Sequence, residues 1–369
     1  MITEVLSINE LKKEAPVFGQ LSFDNHEQVV FCQDKDTGLK AIIGVHNTIL
    51  GPALGGTRMY DYKTEWDALN DVLRLSRGMT YKAAITGLNL GGGKAVIMGD
   101  AKKIKTPELM RRFGKFVHTL GGKYYTAEDV GMETSDMDTV REVTPYVTGI
   151  SEAKGGAGNP SPVTAYGVYM GMKAATKFAY GDDNLDGKKI LVQGIGHVGE
   201  ELVRLTSKEG AKVIISDINE ERLTSVSKAY GVEIYRGDDL YSEAADIYAP
   251  CALGATVNDE TINKLKVKVI AGAANNQLAN EDAHGALLQN KGIVYAPDFL
   301  INAGGIINVY AEIAGYGREQ IMSKTENIYN TTLDILNRAK ATSITTNVAA
   351  IRIAEDRINA RKKEQKSAL

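Results

Sequence analysis

Two lysines and an aspartate in the first half of the sequence have side chains suited to acid–base chemistry. Lys94 directly follows three glycines, Lys82 lies near the end of a predicted helix, and Asp129 follows a predicted strand. A lysine can act as a general base when burial and a neighbouring cation lower its pKa. Two simpler interpretations stay open at this point. Lys82 could be a surface residue stabilised by the helix dipole, and Glu128 competes with Asp129 for the acidic role.

A second set of residues has the pattern of a dinucleotide site. Glycines spaced G-x-G-x-x-G follow the apolar strand KKILVQ, and an aspartate ends the next predicted strand. Such glycines let a pyrophosphate approach a helix N-terminus, and the acidic residue binds a ribose; the alternative is a tight turn without a ligand. Ile218 and Asn219 stand where a basic residue would bind a 2′-phosphate, which favours NAD over NADP. The predicted cofactor contacts here are Gly194, Gly196, His197, Val198, Gly199 and Asp217.

Composition and charge argue against several other classes. Lys plus Arg number 43 and Asp plus Glu 46, so the net charge of −3 gives no reason to expect a nucleic-acid or anionic-membrane partner. The 2 cysteines and 5 histidines show no metal-ligand spacing, and we expect no metal. Leu88 and Ala95 stand where a phosphate-binding P-loop needs Gly and Ser/Thr. With no signal-peptide pattern and no membrane-length apolar run, we expect a cytoplasmic protein.

The first part of the chain is predicted to contain strands followed by alternating helices and strands. Composition predicts strands over residues 28–34, 39–48, 94–100 and 123–127. Apolar spacing and a helix-starting proline predict helices over 64–79 and 107–121. We interpret residues 91–93 as a glycine-rich turn that presents Lys94 at the start of a strand.

A change of composition over residues 151–162, which are rich in glycine and proline, predicts a linker. A predicted helix over 164–180 leads into alternating apolar strands and helices, and the chain is mostly helical from residue 303. This alternation indicates an α/β fold with a parallel sheet covered on both faces. We therefore predict domains over 1–150 and 151–342, with a C-terminal helix over 343–369 that packs back on the first domain.

Seven segments, in order along nearly the whole chain, resemble one enzyme family. They are GPALGGTRM (51–59), RGMTYKAA (77–84), GLNLGGGKA (87–95), TAEDVGM (126–132), GNPSPVTAYGVY (158–169), GAANNQL (272–278) and INAGGIINV (301–309). The sequence is similar in them to the family of glutamate, leucine, phenylalanine and valine dehydrogenases. The resemblance implies an N-terminal α/β domain for substrate binding and oligomerisation, a Rossmann-type NAD-binding domain and a catalytic cleft between them. It also implies a homo-oligomer, often an octamer.

The resemblance further implies reversible oxidative deamination of an L-amino acid by NAD. A hydride leaves the substrate Cα, water attacks the resulting iminium group, and a 2-oxo acid and ammonia are the products. Lys94 matches the general base of the family, and Asp129 matches the carboxylate that handles the substrate amine. Lys82 matches the cationic neighbour of the base and, with the backbone of Gly55 and Gly56, the ligand of the substrate α-carboxylate. Four residues match positions that border the nicotinamide: Ser161, Thr164, Asn275 and Asn276.

Apolar residues at the matching pocket positions favour leucine, with valine and isoleucine as co-substrates. Glutamate-specific relatives carry a lysine at the position of Leu54, and here a second substrate carboxylate would be buried without a partner. One methylene changes the binding free energy by only about 1–3 kcal/mol, so discrimination among the three is expected to be loose. The predicted substrate contacts are Leu54, Gly55, Gly56, Met79, Lys82, Ala127, Thr148, Ile306 and Val309. The alternatives are a phenylalanine dehydrogenase and, in a different class, a non-catalytic NAD-sensing protein.

Overall fold

The computed structural model describes residues 25–367, which divide into two compact units. The first holds the described residues up to Gly158 and those from Glu355 onward, and the second is Asn159–Ala354. The division after Gly158 falls inside the segment predicted as a linker, later than the expected limit at residue 150. Among residues 25–367, no helix is both long enough and apolar enough to cross a membrane.

The sheet of the first unit is mixed. Its strands are β1 (Gln28–Asp34), β2 (Leu39–Asn47), β3 (Ala53–Tyr60), β4 (Gly91–Met98) and β5 (Tyr124–Glu128), in the order β1-β2-β4-β3-β5. Strands β3, β4 and β5 run parallel to one another. At one edge of the sheet, β2 pairs antiparallel with β4, and β1 pairs antiparallel with β2. The sequence analysis missed β3 because its two glycines interrupt the apolar pattern. Pairing with strands on both sides holds this segment extended.

Helices cover both faces of this sheet. They are α1 (Glu65–Ile85), α2 (Ala101–Ile104), α3 (Pro107–Thr119) and α4 (Thr134–Arg141). Thr64 caps α1 by accepting a hydrogen bond from the N–H of Asp67 at 3.1 Å, and Thr106 caps α3 in the same way. Helix α1 runs six residues past its predicted end at Met79 because the buried face continues through Ala83, Ala84 and Ile85.

The prediction of a turn at residues 91–93 is wrong, because all three glycines lie inside β4. A Cβ atom on Gly92 would lie 2.1 Å from both the amide nitrogen and Oγ1 of Thr80 on α1. A Cβ atom on Gly93 would lie 2.6 Å from the ring of Tyr124 on the other face. The glycines are therefore needed for close packing of the helix and the aromatic ring on the strand.

The sheet of the second unit is entirely parallel and confirms the predicted α/β layering. Its strands are β6 (Lys189–Gln193), β7 (Lys212–Ser216), β8 (Glu233–Ile234), β9 (Ile247–Pro250), β10 (Val269–Ile270) and β11 (Val294–Tyr295). They lie in the order β11-β10-β9-β6-β7-β8, with every pair parallel. This is the strand order of doubly wound dinucleotide-binding sheets, with the reversal beside β6.

The remaining helices belong wholly or partly to the second unit. They are α5 (Ser161–Tyr180), α6 (His197–Lys208), α7 (Glu220–Tyr230), α8 (Asp259–Lys264), α9 (Glu281–Asn290), α10 (Asp298–Ile301), α11 (Gly304–Ala314), α12 (Arg318–Glu326), α13 (Ile328–Thr342) and α14 (Thr346–Ser367). The C-terminal helix starts at Thr346, not at the predicted 343, because Ser343 ends α13 with a φ of 53°. Within the first unit, Arg357 on α14 donates to the carbonyl oxygen of Leu88 at 2.7 Å.

Candidate active site

Lys94 lies on the face of the first sheet that packs against α1. The strand register pairs Leu54 with Gly92 and Gly56 with Ala127. Alternate residues of a strand share a face, and paired residues on neighbouring strands point the same way. The fold therefore brings Lys94 to the same face as Leu54 and Ala127, two of the predicted pocket residues, both of which are buried.

The Lys94 side chain is only 8% exposed and donates a hydrogen bond to the Asp129 carboxylate. Burial lowers the pKa of Lys94, because it disfavours the charged ammonium form. The Asp129 carboxylate opposes this shift and the Arg58 guanidinium adds to it, and the net pKa of Lys94 lies below the ordinary lysine value. The site thus holds an amine that can lose its proton more easily than a surface lysine.

Asp129 follows β5 and stays an anion. Burial raises the pKa of Asp129, but the charge of Lys94 and its hydrogen bond, then Arg58 and the N–H of Val130, together hold that pKa below its usual value. The Val130 N–H donates to Oδ1 at 2.8 Å. The neighbouring Glu128, the competing acidic residue, instead accepts a hydrogen bond from Thr134 at 3.2 Å.

Three residues of this cluster were missed by the sequence analysis: Arg58, Asp71 and Tyr62. Arg58 Nη1 donates to Asp71 Oδ2 at 2.9 Å, and Arg58 Nε lies 3.7 Å from Asp129 Oδ2. The Tyr62 hydroxyl also donates to Asp71, at 2.7 Å. A signal was available in the segment GPALGGTRM, where Leu54, Gly56 and Arg58 are spaced two apart. This spacing indicates a shared sheet face only once the segment is recognised as a strand.

Three other residues that are predicted to contact the substrate also lie in the first unit. Lys82 is half-buried in the last turn of α1, where its carbonyl oxygen accepts from Thr86 Oγ1 at 2.7 Å. Met79 is half-buried on the same helix. Thr148 is buried, and its N–H donates to Thr126 O at 2.9 Å. Substrate contact by these residues stays a prediction.

Gly55 and Gly56 have a structural reason to be glycine that does not involve a ligand. A Cβ atom on Gly55 would lie 1.7 Å from Gly93 O, and one on Gly56 would lie 2.4 Å from Glu128 O. Each contact is closer than any real Cβ allows, so the neighbouring strands exclude larger residues. Binding of a substrate carboxylate by these backbone groups stays a prediction.

The turn after β6 fits a dinucleotide. Gly194 has a φ of 93°, and a Cβ atom on Gly199 would lie 2.1 Å from Gly194 O, so both must be glycine for the turn and the helix packing. Gly196 is different, because a Cβ there would have open space around it. That open backbone at the start of α6 is where a pyrophosphate would approach. In the first turn of α6, His197 is exposed and Val198 half-buried.

Asp217 lies beside this turn, at the end of β7. Its Oδ2 accepts from the Ile195 N–H at 2.8 Å and its Oδ1 from the Asn219 N–H at 2.9 Å. Each carboxylate oxygen has a further lone pair, so ribose hydroxyls can still donate to it. The residues present therefore fit a dinucleotide. Across residues 25–367, no group of three or more His, Cys, Asp or Glu side chains could hold a metal ion.

In the second unit, Thr164 near the start of α5 packs against the start of α11. Gly304 permits this packing, since a Cβ on it would lie 2.5 Å from Thr164 Cα. Asn302, which the sequence analysis missed, donates to Asn275 Oδ1 at 2.8 Å. The remaining predicted residues of this unit are Ser161 in the first turn of α5, Asn276 with a φ of 51°, buried Ile306 and half-buried Val309.

Comparisons with known proteins agree with this architecture. The family profile "Glu/Leu/Phe/Val dehydrogenase, dimerisation domain" matches residues 26–146, and "Glutamate/Leucine/Phenylalanine/Valine dehydrogenase" matches 155–220 and 214–365. A leucine dehydrogenase of Thermoactinomyces intermedius is 54% identical over 96% of this chain and 96% of its own length. A phenylalanine dehydrogenase of Caldalkalibacillus thermarum is 47% identical over 93% of this chain and 94% of its own.

A solved structure is also similar. The L-tryptophan dehydrogenase of Nostoc punctiforme matches with a TM-score of 0.85 and 44% identity, over 94% of this chain and 100% of that one. The family profiles match both units of the chain, and relatives far above 30% identity cover nearly its full length. These matches establish the family. The chain belongs to the Glu/Leu/Phe/Val dehydrogenase family and is an amino-acid dehydrogenase.

Proposed function

We propose that this enzyme catalyses the reversible, NAD-dependent oxidative deamination of L-leucine, and of L-valine and L-isoleucine, to the 2-oxo acid and ammonia. The observation that carries the proposal is the buried Lys94–Asp129 pair on the sheet face that also presents Leu54. The relatives named leucine dehydrogenase, at 54% identity, support the choice of leucine over the phenylalanine alternative, whose named relative is 47% identical.

Lys94 is the general base of the proposed reaction. The bound dinucleotide supplies the acceptor for the substrate hydride. In its neutral form Lys94 takes a proton from the water that attacks the substrate iminium carbon, and it becomes an ammonium ion paired with Asp129. Asp129 keeps its negative charge and provides an acceptor for the substrate ammonium group. Lys82 and the backbone of Gly55 and Gly56 would hold the substrate α-carboxylate.

Leu54 sets the substrate class in this proposal. Its side chain is 1% exposed, and it lies on the same sheet face as Ala127. A glutamate side chain placed against Leu54 would bury a carboxylate, which is costly without a partner. An aliphatic side chain there gains from the removal of apolar surface from water. Ile306 and Val309, on α11 of the second unit, are proposed as further contacts.

NAD, rather than NADP, is the proposed cofactor. The Asp217 carboxylate would repel a 2′-phosphate, and the adjoining Ile218 is fully exposed and uncharged. The next basic residue after Asp217, Arg222, pairs with Glu200 at 3.0 Å and donates to Ile195 O. We also propose a cytoplasmic homo-oligomer, with an octamer as the expected size. The match of residues 26–146 to a dimerisation-domain profile supports assembly.

A substrate panel tests the proposal. The full-length chain is incubated at alkaline pH with NAD and, separately, leucine, valine, isoleucine, phenylalanine or glutamate, and the formation of NADH is followed. We expect the highest kcat/KM with leucine, lower but measurable values with valine and isoleucine, and little turnover of glutamate. A preference for phenylalanine would support the alternative substrate. Binding of NAD without turnover of any amino acid would support a non-catalytic protein.

A further inference from the structure

Arg58 lies between two carboxylates. Its Nη1 donates to Asp71 Oδ2 at 2.9 Å, and its Nε is 3.7 Å from Asp129 Oδ2. The Nε atom is buried and has no hydrogen-bond acceptor among the described residues. Buried donors in proteins are nearly always satisfied, so an unsatisfied one beside a carboxylate calls for an explanation. A small movement of the Asp129 carboxylate toward Nε would supply the missing acceptor.

The proposed chemistry creates a charge problem that this arrangement solves. Turnover starts from neutral Lys94, yet neutral Lys94 no longer offers Asp129 a cation. The Asp129 side chain is only 23% exposed, and a largely buried carboxylate without a partner is costly. Arg58 stays protonated at any working pH because of its intrinsically high basicity. Arg58 can therefore compensate Asp129 when Lys94 is uncharged and no substrate ammonium group is bound.

Building on the proposed deamination, we propose that Arg58 is a positioning residue whose Nε is the second partner of Asp129. The Asp129 carboxylate pairs with the Lys94 ammonium in one half of the cycle and with Arg58 Nε in the other. Asp71 holds Arg58 in place through Nη1, while Nε lies 3.7 Å from Asp129 Oδ2. Arginine suits this role because its planar guanidinium group can bind two carboxylates through different nitrogens.

Other charged and titratable groups around the site have different partners. Asp71 is fixed by Arg58, by the Tyr62 hydroxyl and by Arg74 at 3.1 Å. On β5, Glu128 accepts from Thr134. On β2, His46 is hydrogen-bonded to Thr80 at 2.8 Å. On α1, Lys82 is assigned to the substrate carboxylate. Arg58 and Lys94 both lie within ion-pair distance of the Asp129 carboxylate.

The test compares Arg58→Gln with Arg58→Lys and with a matched control. Arg112→Gln removes a second partly buried arginine of the same unit, whose Nε lies 2.9 Å from Asp34 Oδ1. Asp71 keeps its hydrogen bonds from Tyr62 and Arg74 in Arg58→Gln, which favours a folded variant. Two quantities are measured against pH: kcat/KM for leucine, and the NMR signal of the isotope-labelled Lys94 side chain, assigned by its loss in Lys94→Ala.

We expect Arg58→Gln to move both the activity profile and the Lys94 titration to higher pH, by roughly one unit, because a cation near Lys94 is removed and Asp129 binds the ammonium more tightly. Arg58→Lys should shift less, and Arg112→Gln should leave both curves in place. A uniform loss of activity in Arg58→Gln with no shift would mean a purely structural role and overturn the proposal. If the unaltered enzyme does not oxidise leucine, the proposed function fails, while the NMR titration still decides whether Arg58 controls Lys94.

Discussion

Lys94 and Asp129, 35 residues apart in sequence, form a largely buried ion pair in the first unit. Lys94 comes from the middle of β4, and Asp129 directly follows β5, the strand on the far side of β3. Gly56 of β3, on the same sheet face, leaves room for these side chains to meet, because a Cβ atom there would lie 3.0 Å from Asp129 Cβ. This pair supplies a buried amine and a fixed carboxylate, the two groups that the proposed chemistry requires.

Lys94→Ala should lower turnover at least about a hundredfold without loss of dinucleotide binding. Removing a general base typically lowers the rate by about a hundredfold to ten-thousandfold. The cofactor turn is in the other unit and should be unaffected. The measurement is kcat with leucine, together with a fluorescence titration with NADH. Lys103→Ala, at a side chain that is 74% exposed, is the control and should keep full activity. Undiminished turnover in Lys94→Ala would remove Lys94 from the mechanism.

The pH dependence of the reaction should follow the lowered pKa of Lys94. The neutral amine is the base, so kcat/KM for oxidative deamination should rise with pH through that pKa and level off above it. Below it, activity should fall about tenfold per pH unit. Because burial lowers the pKa, the rise should occur at a lower pH than for an exposed lysine. A profile that stays flat into strongly alkaline solution would contradict this assignment.

The proposed catalytic groups could be predicted from the sequence, but Arg58, which lies beside them in the fold, could not. Lys94 and Asp129 stand out by residue type and by resemblance, whereas Arg58 depends on a register between strands far apart in the chain. Strand β3 was missed because strand pairing, a tertiary effect, overrides the low β-propensity of its glycines. Residues 91–93 were misassigned because glycine runs usually signal turns, while these accommodate α1 and Tyr124.

The second unit was easier to predict because its signals are local. Each apolar strand is bounded by a turn and followed by a helical segment, so alternation alone predicts a parallel sheet. The glycine pattern after β6 could be assigned for the same reason. Asn302, in contrast, contacts Asn275 only through the folding of the chain between them, and nothing in its local sequence marks it.

Leu54→Lys should change the substrate class. The new ammonium group would face the same side of the sheet as Ala127 and could pair with a substrate carboxylate. We expect kcat/KM for leucine to fall by at least about tenfold, since a buried lysine is costly there, and the glutamate-to-leucine ratio to rise. Leu54→Met conserves volume and should keep the leucine preference. An unchanged ratio in Leu54→Lys would show that Leu54 does not line the substrate pocket.

Gly92→Ala should destabilise the first unit. The added methyl would lie 2.1 Å from the Thr80 backbone nitrogen and force α1 away from β4. Overpacking of this kind costs about 1–3 kcal/mol. Gly78→Ala is a matched comparison, because it lies on α1 with open space around its Cβ position. It should raise stability by roughly 0.5–1 kcal/mol through helix propensity. Urea denaturation compares the two, and equal midpoints would contradict the packing role of Gly92.

The glycines of the cofactor turn should separate into a binding role and a folding role. A Cβ on Gly196 meets open space, so Gly196→Ala should fold with unchanged stability but weaken NAD binding by about tenfold or more, because the methyl occupies the approach of the pyrophosphate. Gly199→Ala would place its methyl 2.1 Å from Gly194 O and should lower thermal stability first. Calorimetric titration with NAD and thermal unfolding without it measure the two effects. Unchanged NAD affinity in Gly196→Ala would mean that the dinucleotide does not approach this backbone.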